Sequence, residues 1–137
     1  MITLAQYIGP HAASPDWTAA RKAHAAILLE ACESLETEML ADGVEFPDNP
    51  ATGSGVSGQT FGGFRPQNCP QGAANSAHKT GEAVDRYDPK GEIDAWLMAH
   101  QDRLVAHGVY IENPSATVHW SHWSTRAPGS GNHVFLP

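Results

Sequence analysis

The stretch SAHKTGEAVD, Ser76 to Asp85, sets a histidine and an aspartate seven residues apart with Gly81 and Ala83 between them. Gly81 permits a sharp change of chain direction that a residue with a Cβ would resist. If Ala83 and Asp85 then lie on one face of a strand, His78 in the preceding loop can fold back toward the Asp85 carboxylate. A catalytic zinc needs three protein ligands and one open position, and these two residues would supply two of the three. The third must come from elsewhere, and VHWSHW offers His119 and His122. In a strand these point to opposite faces, so only one of them can join the site.

Helical signals lie on both sides of this stretch. SPDW reads as a helix start, with Ser14 as N-cap, Pro15 at the first helical position and Asp16 complementing the dipole. Leu28, Cys32, Leu35 and Met39 then recur at helical spacing, with Glu30, Glu33, Glu36 and Glu38 mostly turned to water, until Gly43 supplies a stop. Residues 46–74 are rich in Gly, Pro, Ser and Asn, but Phe61, Phe64 and Cys69 give them groups to bury. An ordered, irregular wall beside a site is expected there. A second helix is expected in DPKGEIDAWLMAHQDRLVAHG, capped by Asp88 or Gly91, lined by Ile93, Trp96, Leu97 and Leu104, and ended by Gly108. VYI, TVHWSHW and NHVFLP read as short antiparallel strands. The order predicts an α+β fold, a small antiparallel sheet with flanking helices in a single domain over 1–137. Within it, 1–45 would form an N-terminal helical segment and 46–137 the core that carries the metal site.

Composition narrows the function. With 137 residues, 41% of them apolar and 17% charged, the chain can bury a core of its own. The net charge of −7 is concentrated in residues 1–50, which hold eight acids against two bases. That is the opposite of the basic face a nucleic-acid binder presents. No apolar run reaches the roughly 20 residues that span a bilayer, and the first residues lack the pattern of a secretion signal. A cytoplasmic site of synthesis and no membrane partner are expected. Cys32 and Cys69 read as two reduced thiols without assigned chemistry.

SAHKTGEAVD also fits the pattern Ser-x-His-x-x-Gly-x-Ala-x-Asp and resembles the metal signature of the zinc D-alanyl-D-alanine peptidase family. That family includes D,D-carboxypeptidases, D-Ala-D-Ala dipeptidases and phage L-alanyl-D-glutamate endolysins, and its fold is shared with the Hedgehog signalling domain. GGFRP resembles the family's Gly-aromatic-Arg element, and WSHW resembles its closing Trp-x-His element. The tail WSHWSTRAPGSGNHVFLP is similar to the end of compact phage and prophage members. The resemblance implies zinc held by His78, Asp85 and His122. It implies a monomeric metallopeptidase that cuts D-amino-acid-containing peptidoglycan peptides and reaches the wall by holin-type release or within a phage particle. By the same resemblance Arg65 would stabilise an oxyanion or hold a peptide carboxylate, and Ser76 would contact substrate. Trp120 and Trp123 are candidates for the cleft wall or for the core.

One position departs from the family pattern. Many members carry a glutamate three residues before the last histidine, and here that residue is His119. His119 is therefore the expected proton acceptor, with Glu112 in YIENP as its rival. A relative that binds zinc and recognises peptidoglycan without hydrolysing it is the alternative reading.

Overall fold

The computed structural model describes residues 1–137. Its elements run α1 (Leu4–Ile8), a 3-10 turn (Gly9–His11), α2 (Ala19–Ala41), a second 3-10 turn (Ala77–Thr80), β1 (Ala83–Tyr87), α3 (Glu92–Ala99), α4 (Gln101–His107), β2 (Tyr110–Glu112), β3 (Trp120–Ser124) and β4 (Val134–Phe135). The fold is α+β, with helices flanking a four-stranded sheet of order β1-β3-β2-β4. No helix is long and apolar enough to cross a membrane.

The alternation of a strand divides this sheet into two chemically different faces. Val84, Arg86, Ser121, Trp123 and Ile111 point inward and are buried. Val84, Trp123 and Ile111 join Leu28, Cys32, Leu35 and Met39 of α2 in one apolar cluster. Asp85, His122, Glu112 and Phe135 occupy the other face and border a cleft. The long helix thus supports the sheet from behind, and the cleft face is left for chemistry.

α2 begins later than SPDW suggests. Thr18 is its N-cap, its hydroxyl accepting from the Arg21 amide at 3.4 Å, while the Ser14 hydroxyl accepts from the Asp16 amide in a separate turn. Trp17 explains the delay, because its ring sits 4.8 Å from Phe64 and 6.3 Å from Tyr7 and fixes the chain against the core before the helix can start. The stop falls where expected: the Val44 amide reaches the Met39 carbonyl and the Gly43 amide the Leu40 carbonyl, with Gly43 at φ 83°.

The second predicted helix is two. His100, at φ −128° and ψ 47°, separates α3 from α4. Its ring stacks on Trp96 at 4.1 Å and its Nδ1 bonds the Trp96 carbonyl at 2.8 Å. That carbonyl is the one a continuous helix would give to the His100 amide, so the side chain replaces the helical bond and turns the chain. Gly91 is the N-cap residue of α3, and Asp88 supplies the capping bonds, its carboxylate accepting from the amides of Ile93 and Asp94.

The sheet is mixed rather than purely antiparallel. β3 ends beside the start of β2, with Ser124 opposite Tyr110, and the connection returns at that same end. β4 must therefore run alongside β2 in the same direction, pairing Ile111 with Val134 and Glu112 with Phe135. Residues 117–119 precede β3 instead of belonging to it.

Glu36 is the exception on the mostly solvated acidic face of α2. It is buried and paired with Arg86, whose guanidinium lies 4.9 Å from the Phe46 ring centre and 5.5 Å from that of Trp123. The Met1 amino group adds a second partner to Glu36 at 3.2 Å. Removing one member leaves the other charge without compensation in a dry interior, a loss of about 3 to 5 kcal/mol. Glu36→Ala should lower the urea midpoint accordingly, while Glu36→Leu combined with Arg86→Met should recover much of the loss. Equal destabilisation by the single and double variants would contradict this account.

Asp94 gives the fold a pH dependence. Burial raises its carboxyl to about 6, opposed by the Ser121 hydroxyl and reinforced by the neighbouring charge of Asp88. Its oxygens accept from Ser121 and, at 3.4 Å, from Thr117. Because the folded state holds this proton more tightly than the unfolded chain does, the associated stability is present at low pH. It is lost as pH rises through about 6. Urea titrations of Asp94→Asn should lack this component, and an unchanged pH profile in that variant would refute it.

Candidate metal centre

Three short elements converge on one point. Gly81, at φ 82°, ends the 3-10 turn that carries His78 and directs the chain into β1. An added Cβ there would lie 2.6 Å from the Arg21 carbonyl oxygen, so the turn is also held close against α2. β1 then pairs with β3 in a register that sets Asp85 directly opposite His122. His78 Nε2 lies 3.2 Å from Asp85 Oδ1, and His122 Nδ1 lies 2.9 Å from the same oxygen. One donor atom from each residue falls within 4.8 Å of the other two.

These spacings suit a cation. Tetrahedral bonds of about 2.0 to 2.1 Å separate ligand atoms by roughly 3.3 Å, close to the two measured contacts. Hydrogen-bond logic points the same way. His78 Nδ1 sits 2.8 Å from the Gly63 carbonyl, which can only accept, so Nδ1 carries the hydrogen. The Nε2 lone pair is then aimed at a carboxylate oxygen, and two acceptors in contact need a proton or a metal ion between them. Asp85 is oriented just as firmly. Arg65 Nη2 holds Oδ2 at 3.1 Å, leaving Oδ1 for the imidazoles. Burial pushes the Asp85 carboxyl up, yet its pKa is held below the usual carboxylate range by positive charge at the imidazole positions, and a cation held there would supply that charge.

The cluster opens into a cleft of about 460 Å³. Arg65, Ser76, Trp120 and Glu112 border it together with His78, Asp85 and His122. Gly72, at φ 79°, lies against Arg65 Nη1 and Ser76, and a Cβ there would come within 2.9 Å of that nitrogen. Arg126 also lines the cleft and was not singled out from the sequence, although its position two residues beyond Ser124 at the end of β3 could have suggested it. Its Nη2 bonds the Asn75 carbonyl, before His78, and its Nη1 lies 3.7 Å from Glu82, after it, so it braces both sides of that turn.

His119 does not share the cleft. It precedes β3 at φ 75°, the only residue other than glycine with a positive φ, and its Nδ1 lies 3.2 Å from the Pro89 carbonyl. Its ring borders a different hollow with Pro89, Met98 and Val118. The expected proton acceptor is therefore misplaced, whereas Glu112 is within the cleft. Ile111 opposes Trp123, so the next step along each strand brings Glu112 level with His122. Asp85, His122 and Glu112 stand in a row across β1, β3 and β2.

A scan of protein-family models and searches of curated proteins and of solved structures returned no match to this chain.

The donor set predicts one divalent metal ion per chain by elemental analysis after dialysis and, with zinc as the ion tested, a melting temperature that rises as it is added. His78→Ala, Asp85→Ala and His122→Ala should each weaken zinc binding by more than about a hundredfold, beyond what loss of a supporting partner produces. His119→Ala should leave affinity unchanged. Undiminished binding in the three ligand variants would rule the site out.

Proposed function

We propose that the chain is a zinc-dependent peptidase that hydrolyses D-amino-acid-containing peptides of the peptidoglycan stem. The observation that carries the proposal is the His78, Asp85 and His122 cluster at the base of a cleft that also holds Glu112 and Arg65. The choice of peptidoglycan stem peptides rests on the resemblance of SAHKTGEAVD, GGFRP and WSHW to the zinc D-alanyl-D-alanine peptidases. Zinc in a three-ligand site lowers the pKa of water toward about 7 and polarises a carbonyl.

The remaining work falls to side chains. Glu112 accepts the proton of the attacking water and returns it to the departing amine, a role that needs a carboxylate in the cleft rather than any particular sequence spacing. Arg65, fixed by the Phe61 carbonyl at 2.6 Å and by Asp85, keeps its remaining nitrogen beside Gly72 at the wall of the cleft. Its permanent charge offsets negative charge developing on the substrate carbonyl oxygen. Ser76, whose hydroxyl has no partner within the protein, is free to bond substrate. Trp120 closes one side of the cleft. Asp85 keeps its geometry throughout, because Arg65 occupies its second oxygen.

The reading as a zinc-binding module without hydrolysis rests on the histidine at position 119 and on the acidic N-terminal helix. Glu112 supplies the carboxylate whose absence motivated it, and hydrolysis is the better-supported function.

Incubating the zinc-loaded protein with peptidoglycan and with D-Ala-ended peptides should release new amino groups in a chelator-sensitive reaction. Glu112→Gln should reduce kcat by about a hundredfold or more with zinc retained. His119→Ala should leave kcat within a few-fold of the parent. Zinc binding without release of amines across the range in which carboxylates and imidazoles titrate would refute the activity. Equal losses in the two variants would refute the assignment of Glu112.

A further inference from the structure

The metal cleft is one end of a longer groove. A second hollow of about 500 Å³ shares Arg65, Asp85 and Trp120 with the metal cleft. It shares Ser57, Gln59, Thr60 and Gly62 with a third, of about 420 Å³, that runs on beside α1. The two ends differ sharply in charge. Arg65, Asp85, Glu112 and Arg126 crowd the metal end, the middle section holds only Arg65 and Asp85, paired with each other at 3.1 Å, and none of the 14 residues lining the far hollow is charged. For a chain with 15 acidic and 8 basic residues, that is a marked exclusion.

Hydroxyls and amides take the place of charge. The side chains of Ser57, Gln59, Thr60 and Gln71 make no hydrogen bond within the protein and border the groove. Phe61 and Trp120 add half-buried aromatic faces to its middle section. Such a lining recognises a neutral ligand that combines hydroxyl and amide groups with apolar C–H faces.

A peptide bound as an added strand is disfavoured, since the outer edge of β1 is already used. The Ser57 amide donates to the Asp85 carbonyl at 2.8 Å, and the amides of Asp85 and Tyr87 donate to Gly62 and Gly55 at 2.7 and 2.8 Å. Strand addition needs those groups free. What this stretch offers a ligand is its side chains rather than a strand edge, which suits a saccharide.

We infer that the groove from Trp120 to Gln59 and Thr60 is a subsite for a neutral N-acetylated amino sugar joined to the peptide at the metal centre. The groove is independent of the peptidase proposal, but the choice of an amino sugar as its occupant rests on that reading. The substrate is then a glycopeptide, its charged peptide held at the metal end and its uncharged sugar in the arm.

Triacetylchitotriose titrated into the full chain should shift the backbone amide resonances of Ser57 to Gly62. These shifts should be lost in Gln59→Ala/Thr60→Ala, both exposed positions, with the rest of the spectrum unchanged. A stem peptide bearing an N-acetylmuramyl group should be cleaved with about tenfold higher kcat/KM than the bare peptide, and the double variant should abolish that preference. Absence of shifts, shifts confined to the metal end, or equal cleavage of the two peptides overturns the subsite. Shifts at Ser57 to Gly62 without hydrolysis of either peptide keep the subsite and sink the peptidase, and hydrolysis of both at one rate without shifts does the reverse.

Discussion

The antiparallel register between β1 and β3 is the constraint on which the site depends. Pairing Asp85 with His122 places a carboxylate oxygen and an imidazole nitrogen 2.9 Å apart with no help from loops. A slip of one residue would turn one of the two side chains to the opposite face. The apolar pattern prevents it, because Val84 and Trp123 would lose their places against α2 at the same time. Core packing and donor geometry therefore enforce the same alignment, and His78 has only to be delivered by a tight turn.

Behind the sheet, the buried charges on β1 and α2 make the scaffold unusual. Arg86 is fully enclosed between Phe46 and Trp123 and neutralised by Glu36. Burial depresses its pKa to about 10, still far above neutrality, so the guanidinium stays charged inside the core. Such pairs add little net stability over apolar side chains of equal volume, but they penalise any arrangement that separates the partners. β1, which bears Arg86 on its inner face and Asp85 on the cleft face, is thereby tied to one position along α2.

Much of this was legible from local pattern. The helical spacing of Leu28, Cys32, Leu35 and Met39 located the core face of α2, and Gly43 its end. SAHKTGEAVD and WSHW contained the three residues that the structure brings together, and GGFRP and YIENP contained Arg65 and Glu112. The misreadings share a physical cause, since each turned on a contact between residues distant in sequence or on a side chain replacing a backbone bond. Trp17 postponed a helix by docking on Tyr7 and Phe64, His100 broke another by taking the Trp96 carbonyl, and Arg86 drew Glu36 inside. The direction of β4 followed from which end of the sheet the chain leaves. His119 was expected in the cleft because it holds the position of the family's glutamate, three residues before the last histidine, but it precedes the strand in a left-handed conformation and borders a different hollow.

The loop segment from Gly55 to Gly62 has a consequence beyond the groove it borders. By occupying the amides and carbonyls along the outside of β1, it removes the template on which a second molecule could stack. The opposite margin of the sheet is β4, only two residues long. Neither border of the folded sheet offers an extended open ladder, so the native chain has little edge from which strand-by-strand growth could start.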